Sequence, residues 1–349
     1  MSDSTRFRPV APPQVIEGAF SEDQHRRMLD VVRRKGPWQL ILAQHFQSPE
    51  EVVATTSGMI PEGFESTWDM FMTPVFRGYF AQGSTVLHPE IEDCFFNRKF
   101  LDLVRAYWKA DYARPESMLF NIQGPCPGSD APHVDATRFR GITDRTTPVW
   151  LMNMMVKSGL FERWRAKKAQ VIAWYYRGRV GGGFNYWPDG PQATPRQIKA
   201  PMWGRAVVVE NEMMFHTAEA CGPAHLRRPA GLRIDSLMSA DPDRADGWQI
   251  TTDGEVIQKV PAEEFRFLVH WGGEVYSDYE DLKRTLDHTD DIDNDRVFET
   301  MIDDLRRRGL EFEVPSDPMT DQRFISLLTQ TYDPGKPASY PPEPEELAA

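Results

Sequence analysis

The spacing of apolar residues divides the chain into three parts, and the N-terminal part is predicted to be helical. Apolar side chains within residues 28–32 supply a core-facing stripe at helical spacing. Ser21 and Gln24 form a capping-box pattern that predicts where this helix begins. Residues 48–51 are typical of a second helix start, with a proline at the first helical position. A third helix is predicted over about residues 89–104.

The middle of the chain has a different pattern. Its short apolar runs alternate with glycine and proline turns, which indicates an antiparallel sandwich or barrel rather than alternating β-α units. Asp253-Gly254, between two further apolar runs, is a strong hairpin signal. The predicted strands cover residues 118–123, 149–155, 170–176, 183–187, 205–209, 213–217 and 232–238, and the hairpin strands cover 248–251 and 255–260.

The last part of the chain returns to helical patterns, at residues 278–287, 295–308 and 320–331. Helices from both ends of the chain are therefore expected to wrap one β-core. The predicted fold class is α+β with a mainly β core.

The predicted boundaries follow from these changes of pattern. Residues 16–334 are expected to form a single domain, and the proline-rich ends, 1–15 and 335–349, a flexible segment and a disordered tail. Within the domain, the expected parts are a helical flank 16–115, a β-core of about 116–262 and a C-terminal helical region 263–334.

Composition narrows the class of partner. The formal net charge of −12 argues against a nucleic-acid binder, whose binding face is usually basic. No apolar stretch approaches the roughly 18–20 residues that span a bilayer. Cys94, Cys126 and Cys221 form no CxxC pair, so a reducing, cytoplasmic location is expected. A small-molecule substrate is therefore the expected partner, while the sequence leaves the oligomeric state open.

Three histidine-carboxylate pairs are candidates for a metal site: 133–135, 288–290 and 88–90. Pair 288–290 lies in an acidic stretch with no histidine after it. Pair 88–90 opens a predicted helix, where side chains two residues apart point in different directions. Pair 133–135 follows a strand-like segment, and in extended backbone residues i and i+2 project to the same side. His133 and Asp135 could therefore bind one metal ion together.

His216 is the candidate for the second imidazole ligand. It lies in an apolar run, residues 213–217, that follows the predicted strand 205–209. Two imidazoles and one carboxylate on one face of a metal leave the opposite face open, as in non-haem iron centres. The alternative is a hydrogen-bonded surface pair, His133 with Asp135, and a core histidine at position 216.

Arg233 is the candidate anion anchor because it opens the predicted strand 232–238. A buried arginine within a strand needs an anionic partner. That partner is either a neighbouring aspartate such as Asp235 or a ligand carboxylate, which a guanidinium grips through two parallel bonds. Arg227 and Arg228 compete for the role, but they precede the turn and are expected to be more exposed.

The order of His133-x-Asp135, His216 and Arg233 resembles that of the iron(II) and 2-oxoglutarate-dependent dioxygenases. The resemblance covers roughly residues 118–240 and implies a double-stranded β-helix, a jelly-roll fold of the cupin type. It includes the glycine-rich segment that lies between the two metal-binding segments, residues 181–190.

The resemblance also implies roles for individual residues. His133, Asp135 and His216 would hold Fe(II), and Arg233 would pair with the C5 carboxylate of 2-oxoglutarate. Asn121 and Gln123, on the strand before the metal pair, would contact the same co-substrate.

The implied reaction uses O2 to oxidise a C–H bond of a small organic molecule, with release of succinate and CO2. Hydroxylation is the expected outcome, and the intact Asp135 argues against halogenation. Arg138 and Arg140 could hold a substrate carboxylate or could be surface charges. Two other classes stay open: a cupin-type metalloenzyme that does not use 2-oxoglutarate, and a non-catalytic β-sandwich binding module.

Overall fold

A computed structural model describes residues 6–56, 65–128 and 131–344. The strands are β1 Gln14–Glu17, β2 Trp38–Leu40, β3 Val75–Gln82, β4 Thr85–Val86, β5 Tyr112–Gln123, β6 Lys167–Tyr176, β7 Phe184–Trp187, β8 Arg196–Ile198, β9 Met202–Val209, β10 Phe215–Ala218, β11 Leu237–Ala240, β12 Trp248–Thr252, β13 Glu255–Val260 and β14 Arg266–Tyr276. The helices are α1 Glu22–Lys35, α2 Ile41–His45, α3 Pro49–Thr55, α4 Glu92–Phe95, α5 Arg98–Trp108, α6 Val149–Ser158, α7 Tyr279–Leu286, α8 Asn294–Arg307 and α9 Gln322–Tyr332.

The strands form one large and one small antiparallel sheet. The large sheet has the order β1-β9-β6-β14-β5-β3-β2-β11-β12-β13, with β4 paired to β3, and the small sheet has the order β10-β7-β8. Buried side chains from both sheets pack in one cluster, for example Trp174 of β6 against Phe184 of β7. The two sheets therefore enclose an apolar layer between them.

Strand β14 lies between β5 and β6 and contributes to both faces of the large sheet. Because side chains alternate along a strand, Arg266, Leu268 and His270 share one face. Leu268 and Trp174, which lie opposite each other in the β14–β6 register, belong to the layer between the sheets. The other face of β14 packs into the main core, where Trp271 contacts Phe100 of α5.

Helices form a second apolar cluster, separate from the core of the large sheet. Helices α3, α6, α8 and α9 share a buried apolar cluster that includes Val134, directly between the two residues of the predicted metal pair. The cluster thus fixes the segment that carries His133 and Asp135.

Several predicted elements agree with the structure. Helix α1 begins at the Ser21–Gln24 capping box, and helix α3 begins after Ser48. The β12–β13 hairpin turns at Asp253 and Gly254, whose φ angles of 51° and 82° suit that pair of residues.

Other predictions were wrong. Residues 149–155, predicted as a strand, belong to helix α6, which is buried on almost every side and so shows no amphipathic period. The predicted strand 232–238 is a turn followed by β11. The predicted helix over 89–104 is divided between α4 and α5 at residues 96–97.

The predicted boundaries also need correction. Strand β14 falls in the region 263–334 that was expected to be helical, and β1, β2 and β3 bring the expected helical flank into the large sheet. Phe7 is buried in the expected flexible segment. Tyr340, in the expected tail, packs edge-on against Trp187 of β7, so part of that tail is docked on the small sheet.

No helix in the described part of the chain is long and apolar enough to cross a membrane.

Gly78 of β3 allows Trp38 and Phe120 to approach the sheet closely. A Cβ atom there would lie 2.3 Å from Phe120 Cζ and 2.5 Å from Trp38 Cζ3. We therefore expect Gly78→Ala to lower the free energy of unfolding by about 1–3 kcal/mol through overpacking, as measured by urea denaturation. Glu255→Ala, at an exposed strand position, is the control and should change it by less than about 0.5 kcal/mol. Equal losses in both variants would contradict this explanation.

Candidate metal centre

Three side chains that are distant in the sequence converge on one point. His216 Nε2 lies 3.4 Å from Asp135 Oδ1, and His133 Nε2 lies 3.7 Å from the same oxygen. One donor atom from each residue lies within 4.8 Å of the other two. Donors at right angles around a metal ion with bonds of about 2.1 Å would be ~3 Å apart. A small inward movement would therefore bring all three into ligand positions.

Backbone pairing brings the two imidazoles together. His133 N donates to His216 O at 3.1 Å, and His216 N donates to His133 O at 3.0 Å. His216 is also paired with Tyr186 across the β10–β7 ladder. Asp135 N donates to Asn211 O at 3.1 Å, which fixes the third residue against the turn before β10.

The hydrogen bonds of the two imidazoles select the same tautomer. Nδ1 of His133 lies 2.9 Å from the carbonyl oxygen of Ala131, and Nδ1 of His216 lies 3.0 Å from that of Met214. Since a carbonyl only accepts, Nδ1 carries the proton in each neutral ring. Nε2 then presents its lone pair on the side of Asp135, as a metal ligand must.

The charge state of Asp135 also suits metal binding. Burial opposes ionisation of this carboxyl, but the charge of His216 and hydrogen bonds from both rings, when each Nε2 also carries a proton, outweigh it and hold the pKa of Asp135 well below its usual range; a metal ion would take the place of those protons. An ionised oxygen ligand beside two nitrogen ligands fits a divalent first-row metal such as Fe(II).

His133 and Asp135 line a cavity of about 220 Å³. Its walls come from α3, α6 and the inner face of the large sheet. The charged and polar residues of the wall include Arg77, Glu116, Arg138, Asn153, Lys168, Glu212 and His270. The cavity is far larger than the space that one water molecule occupies.

Buried ion pairs organise one side of the cavity. Glu116 lies 3.0 Å from both Lys168 Nζ and Arg138 Nε. Burial opposes its ionisation, but the two cations outweigh that effect and lower the pKa of Glu116 to about 2. Arg138 also pairs with Asp144 at 3.3 Å, whereas Arg140 pairs with Asp290 outside the cavity. Neither arginine is a simple surface charge.

His270 of β14 is a cavity residue that the sequence analysis did not single out. Burial lowers its pKa to about 4, so the ring is neutral near pH 7. Asp135 and His216 are both close enough to influence that pKa. The signal available in the sequence was a lone histidine in an apolar run, which is more often a core residue.

The structure does not bring Arg233 to the cavity. The side chain is 54% exposed, lies in a turn rather than a strand, and pairs with Asp235 and Asp253, each at 2.8 Å. Its expected burial was therefore wrong, and its charge is already neutralised. Arg227 is buried, contrary to expectation, and donates to Gly222 O, while Arg228 is exposed. Neither lines the cavity.

Asn121 and Gln123 lie on β5 on the face that points between the sheets. Asn121 Oδ1 accepts a hydrogen bond from Arg77 Nε at 2.9 Å. Gln123 is fully buried opposite Arg266, and its Nε2 lies 3.2 Å from Cys221 Sγ. Neither side chain is part of the cavity wall.

Arg266, at the start of β14, meets the physical criterion that Arg233 fails. It is 2% exposed, and its Nε donates to Gly182 O at 3.0 Å just before β7. Within the described residues, no carboxylate oxygen lies within 4.0 Å of its guanidinium. Burial lowers the pKa of this guanidinium, which indicates an uncompensated charge between the sheets.

An unsatisfied donor lies on the same face. The indole Nε1 of Trp174 is buried and has no hydrogen-bond partner in the described part of the protein. Trp174 lies opposite Leu268, and Leu268 is two residues from Arg266 along β14. A buried N–H group without an acceptor and a buried cation without a carboxylate among the described residues point to a missing anion.

Similar solved structures were found, although no family model matches the sequence and a search of curated proteins found no relative. An oxidoreductase of the 2OG-Fe(II) oxygenase family from Burkholderia pseudomallei has 10% identity and a TM-score of 0.39, over 76% of this chain and 86% of that chain. Viral collagen prolyl hydroxylase from Paramecium Bursaria Chlorella virus-1, in complex with 2OG, has 9% identity and a TM-score of 0.36, over 75% and 96%. HygX from Streptomyces hygroscopicus, with nickel, 2-oxoglutarate and hygromycin B bound, has 9% identity and a TM-score of 0.35, over 75% and 82%.

The ligand arrangement predicts that a divalent metal stabilises the folded protein. Adding Ni(II) to metal-free protein should raise the free energy of unfolding by about 2.7 kcal/mol at a free metal concentration 100 times Kd. His133→Ala and His216→Ala should each abolish this increase in thermal or urea unfolding. His288→Ala is the matched control, because His288 is exposed and pairs with Asp291. A stabilisation that persists in both the His133→Ala and the His216→Ala protein would refute these ligands.

Proposed function

We propose that this protein is an Fe(II)/2-oxoglutarate-dependent dioxygenase that oxidises, most simply hydroxylates, a C–H bond of a small organic molecule. The convergence of His133, Asp135 and His216, the first two of which line a cavity, carries this proposal. The overall reaction balances as substrate C–H, O2 and 2-oxoglutarate giving C–OH, succinate and CO2.

The fold supports the proposal. An antiparallel sheet that faces a second, smaller antiparallel sheet across an apolar layer agrees with a double-stranded β-helix. In this interpretation, β5, β14, β6 and β9 are the major-sheet strands. Strands β10, β7 and β8, with His133 bridged to His216, would make the minor sheet.

The three ligand residues leave room for co-substrates on the metal. His133 and His216 supply two neutral nitrogens, and Asp135 supplies one anionic oxygen. Residues of these types would hold Fe(II) and leave it accessible to 2-oxoglutarate and O2, and the iron would supply the oxidation chemistry. The chain's own task is to orient the ligands and to separate the reacting groups from solvent.

Arg266 replaces Arg233 as the proposed partner of the C5 carboxylate of 2-oxoglutarate. Its guanidinium is buried between the sheets without a carboxylate among the described residues, as an anion site requires. Trp174 Nε1 could donate a further hydrogen bond to the same carboxylate. Gln123, directly opposite Arg266, stays a proposed contact of this group.

His270 is proposed to support the centre as a neutral group. Its imidazole shares the inner face of β14 with Arg266, four residues along the strand, a separation of about 13 Å. A neutral ring near Asp135 adds no positive charge that would compete with the metal. It can still donate or accept a hydrogen bond with a ligand on the open side.

The proposal predicts a spectroscopic signature. Anaerobic addition of Fe(II) and 2-oxoglutarate should produce a weak visible charge-transfer band. His133→Ala and His216→Ala should remove the band, and the control His288→Ala should keep it. A cupin-type enzyme that does not use 2-oxoglutarate would bind the metal without giving this band, and a non-catalytic module would not bind it.

The co-substrate anchor gives a second prediction. Arg266→Gln should raise the concentration of 2-oxoglutarate needed for half-maximal succinate formation on the order of 100-fold, about 3 kcal/mol, because a charge-assisted pair is lost. Arg266→Lys should restore part of the affinity. Arg233→Gln is the matched exposed control.

Folding must be checked separately because Arg266 is buried. Ni(II) affinity and the unfolding midpoint would show whether Arg266→Gln retains the metal centre. Trp174→Phe, which removes the N–H donor together with the pyrrole part of the ring, should weaken 2-oxoglutarate binding by a smaller factor in a protein that keeps its unfolding midpoint. Unchanged 2-oxoglutarate dependence in a folded Arg266→Gln protein would reject the anchor.

A further inference from the structure

The cavity beside the metal ligands contains a cation that differs from its neighbours. Arg138 and Lys168 each pair with Glu116. Arg77 of β3 also lines the cavity. In the parts of the chain that the structure describes, no Asp or Glu oxygen lies within 4.0 Å of Arg77.

Neutral groups hold the Arg77 guanidinium in place. Its Nε donates to Asn121 Oδ1 at 2.9 Å, and its Nη1 lies 3.1 Å from His45 Nε2. Because a guanidinium only donates, His45 Nε2 must be the acceptor, with the ring proton on Nδ1. Burial, and then the charge of Arg77, lower the pKa of His45 to about 3, so the ring is neutral. The cation is thus oriented but not neutralised.

Asn153 of α6 is a second unusual group in the same wall. It is completely buried, and both Nδ2 and Oδ1 lack a hydrogen-bond partner among the described residues. An Asn side chain offers two donors and an acceptor, so both atoms should find partners when buried. Since Asn153 lines the cavity, a ligand with a neutral polar group would satisfy it.

Apolar side chains also contribute to the wall around these two residues. Phe46, Val52, Leu119 and Met152 line it together with Val149, which lies one helical turn before Asn153 on α6. Ligand sites commonly combine an apolar lining with a few placed polar groups. The charge count also limits the ligand: one unpaired guanidinium matches a single carboxylate, which it can grip through two parallel bonds.

We propose, resting on the function above, that the substrate is a small monocarboxylic acid with an apolar body and a neutral polar group such as an amide. Its carboxylate pairs with Arg77, its body lies against Leu119 and Met152, and its polar group is bound by Asn153. The C–H bond to be oxidised belongs to this apolar body, on the side of His133 and Asp135. Arg77 and Arg266 then serve two different anions, the substrate and the co-substrate.

Three matched probes separate these features. N-acetylleucine carries a carboxylate, an apolar side chain and an amide; N-acetylleucinamide lacks the charge; 4-methylpentanoate lacks the amide. Binding is measured by isothermal titration calorimetry on Ni(II)-loaded protein, with and without saturating 2-oxoglutarate. Turnover is absent, so the result does not depend on catalysis.

For the unmodified protein, N-acetylleucine should bind at least tenfold more tightly than N-acetylleucinamide. Arg77→Met should remove that preference, and Arg77→Lys should restore part of it. Asn153→Leu should instead reduce the advantage of N-acetylleucine over 4-methylpentanoate. Arg233→Met, an exposed arginine with two aspartate partners, is the control and should leave both preferences unchanged.

The possible outcomes separate this proposal from the proposed function. Equal binding of acid and amide, an unchanged preference in Arg77→Met, or no binding of any acid would overturn the substrate class. So would a weakened 2-oxoglutarate affinity in Arg77→Met, because Arg77 would then be the co-substrate anchor. If the acid preference is present but 2-oxoglutarate gives no charge-transfer band with Fe(II), the dioxygenase assignment fails and the carboxylate site stands.

Discussion

The reciprocal hydrogen bonds between the backbones of His133 and His216 are the interaction on which the candidate centre depends. They join a segment far upstream to β10 and place two imidazoles at a ring-centroid separation of 4.6 Å. Asp135 is positioned by a separate hydrogen bond, from its backbone N to Asn211 O. Without this pair of hydrogen bonds, nothing would hold the two imidazoles next to each other, and the candidate ligand atoms would be separated.

The large sheet determines where the charged and titratable side chains near this contact lie. Its inner face carries Arg266 deep between the sheets and His270 at the cavity. Arg138 and Lys168 share Glu116, and each also pairs with a second carboxylate, Asp144 and Glu212 respectively. Arg77 and Arg266, which both have no carboxylate oxygen within 4.0 Å among the described residues, lie in different surroundings. One faces the cavity and the other is enclosed, which is why they are assigned to different anions.

Sequence reasoning reached the three candidate ligands, which the structure brings together, because extended backbone places His133 and Asp135 on one side. It failed where tertiary context decides. Helix α6 is buried on almost all sides, so its apolar run could not be distinguished from a strand. Arg233 follows His216 in the expected order, but β11, β12 and β13 separate β10 from β14. The buried Arg266 therefore falls beyond the interval that the resemblance covered.

Both imidazoles are oriented by main-chain carbonyls two residues earlier, at Ala131 and Met214, rather than by carboxylate or amide side chains. Main-chain acceptors are the same for every amino acid, so neighbouring side chains can drift during evolution without altering either tautomer. The wall of the cavity can consequently be remodelled toward new ligands while the metal-binding geometry is inherited unchanged.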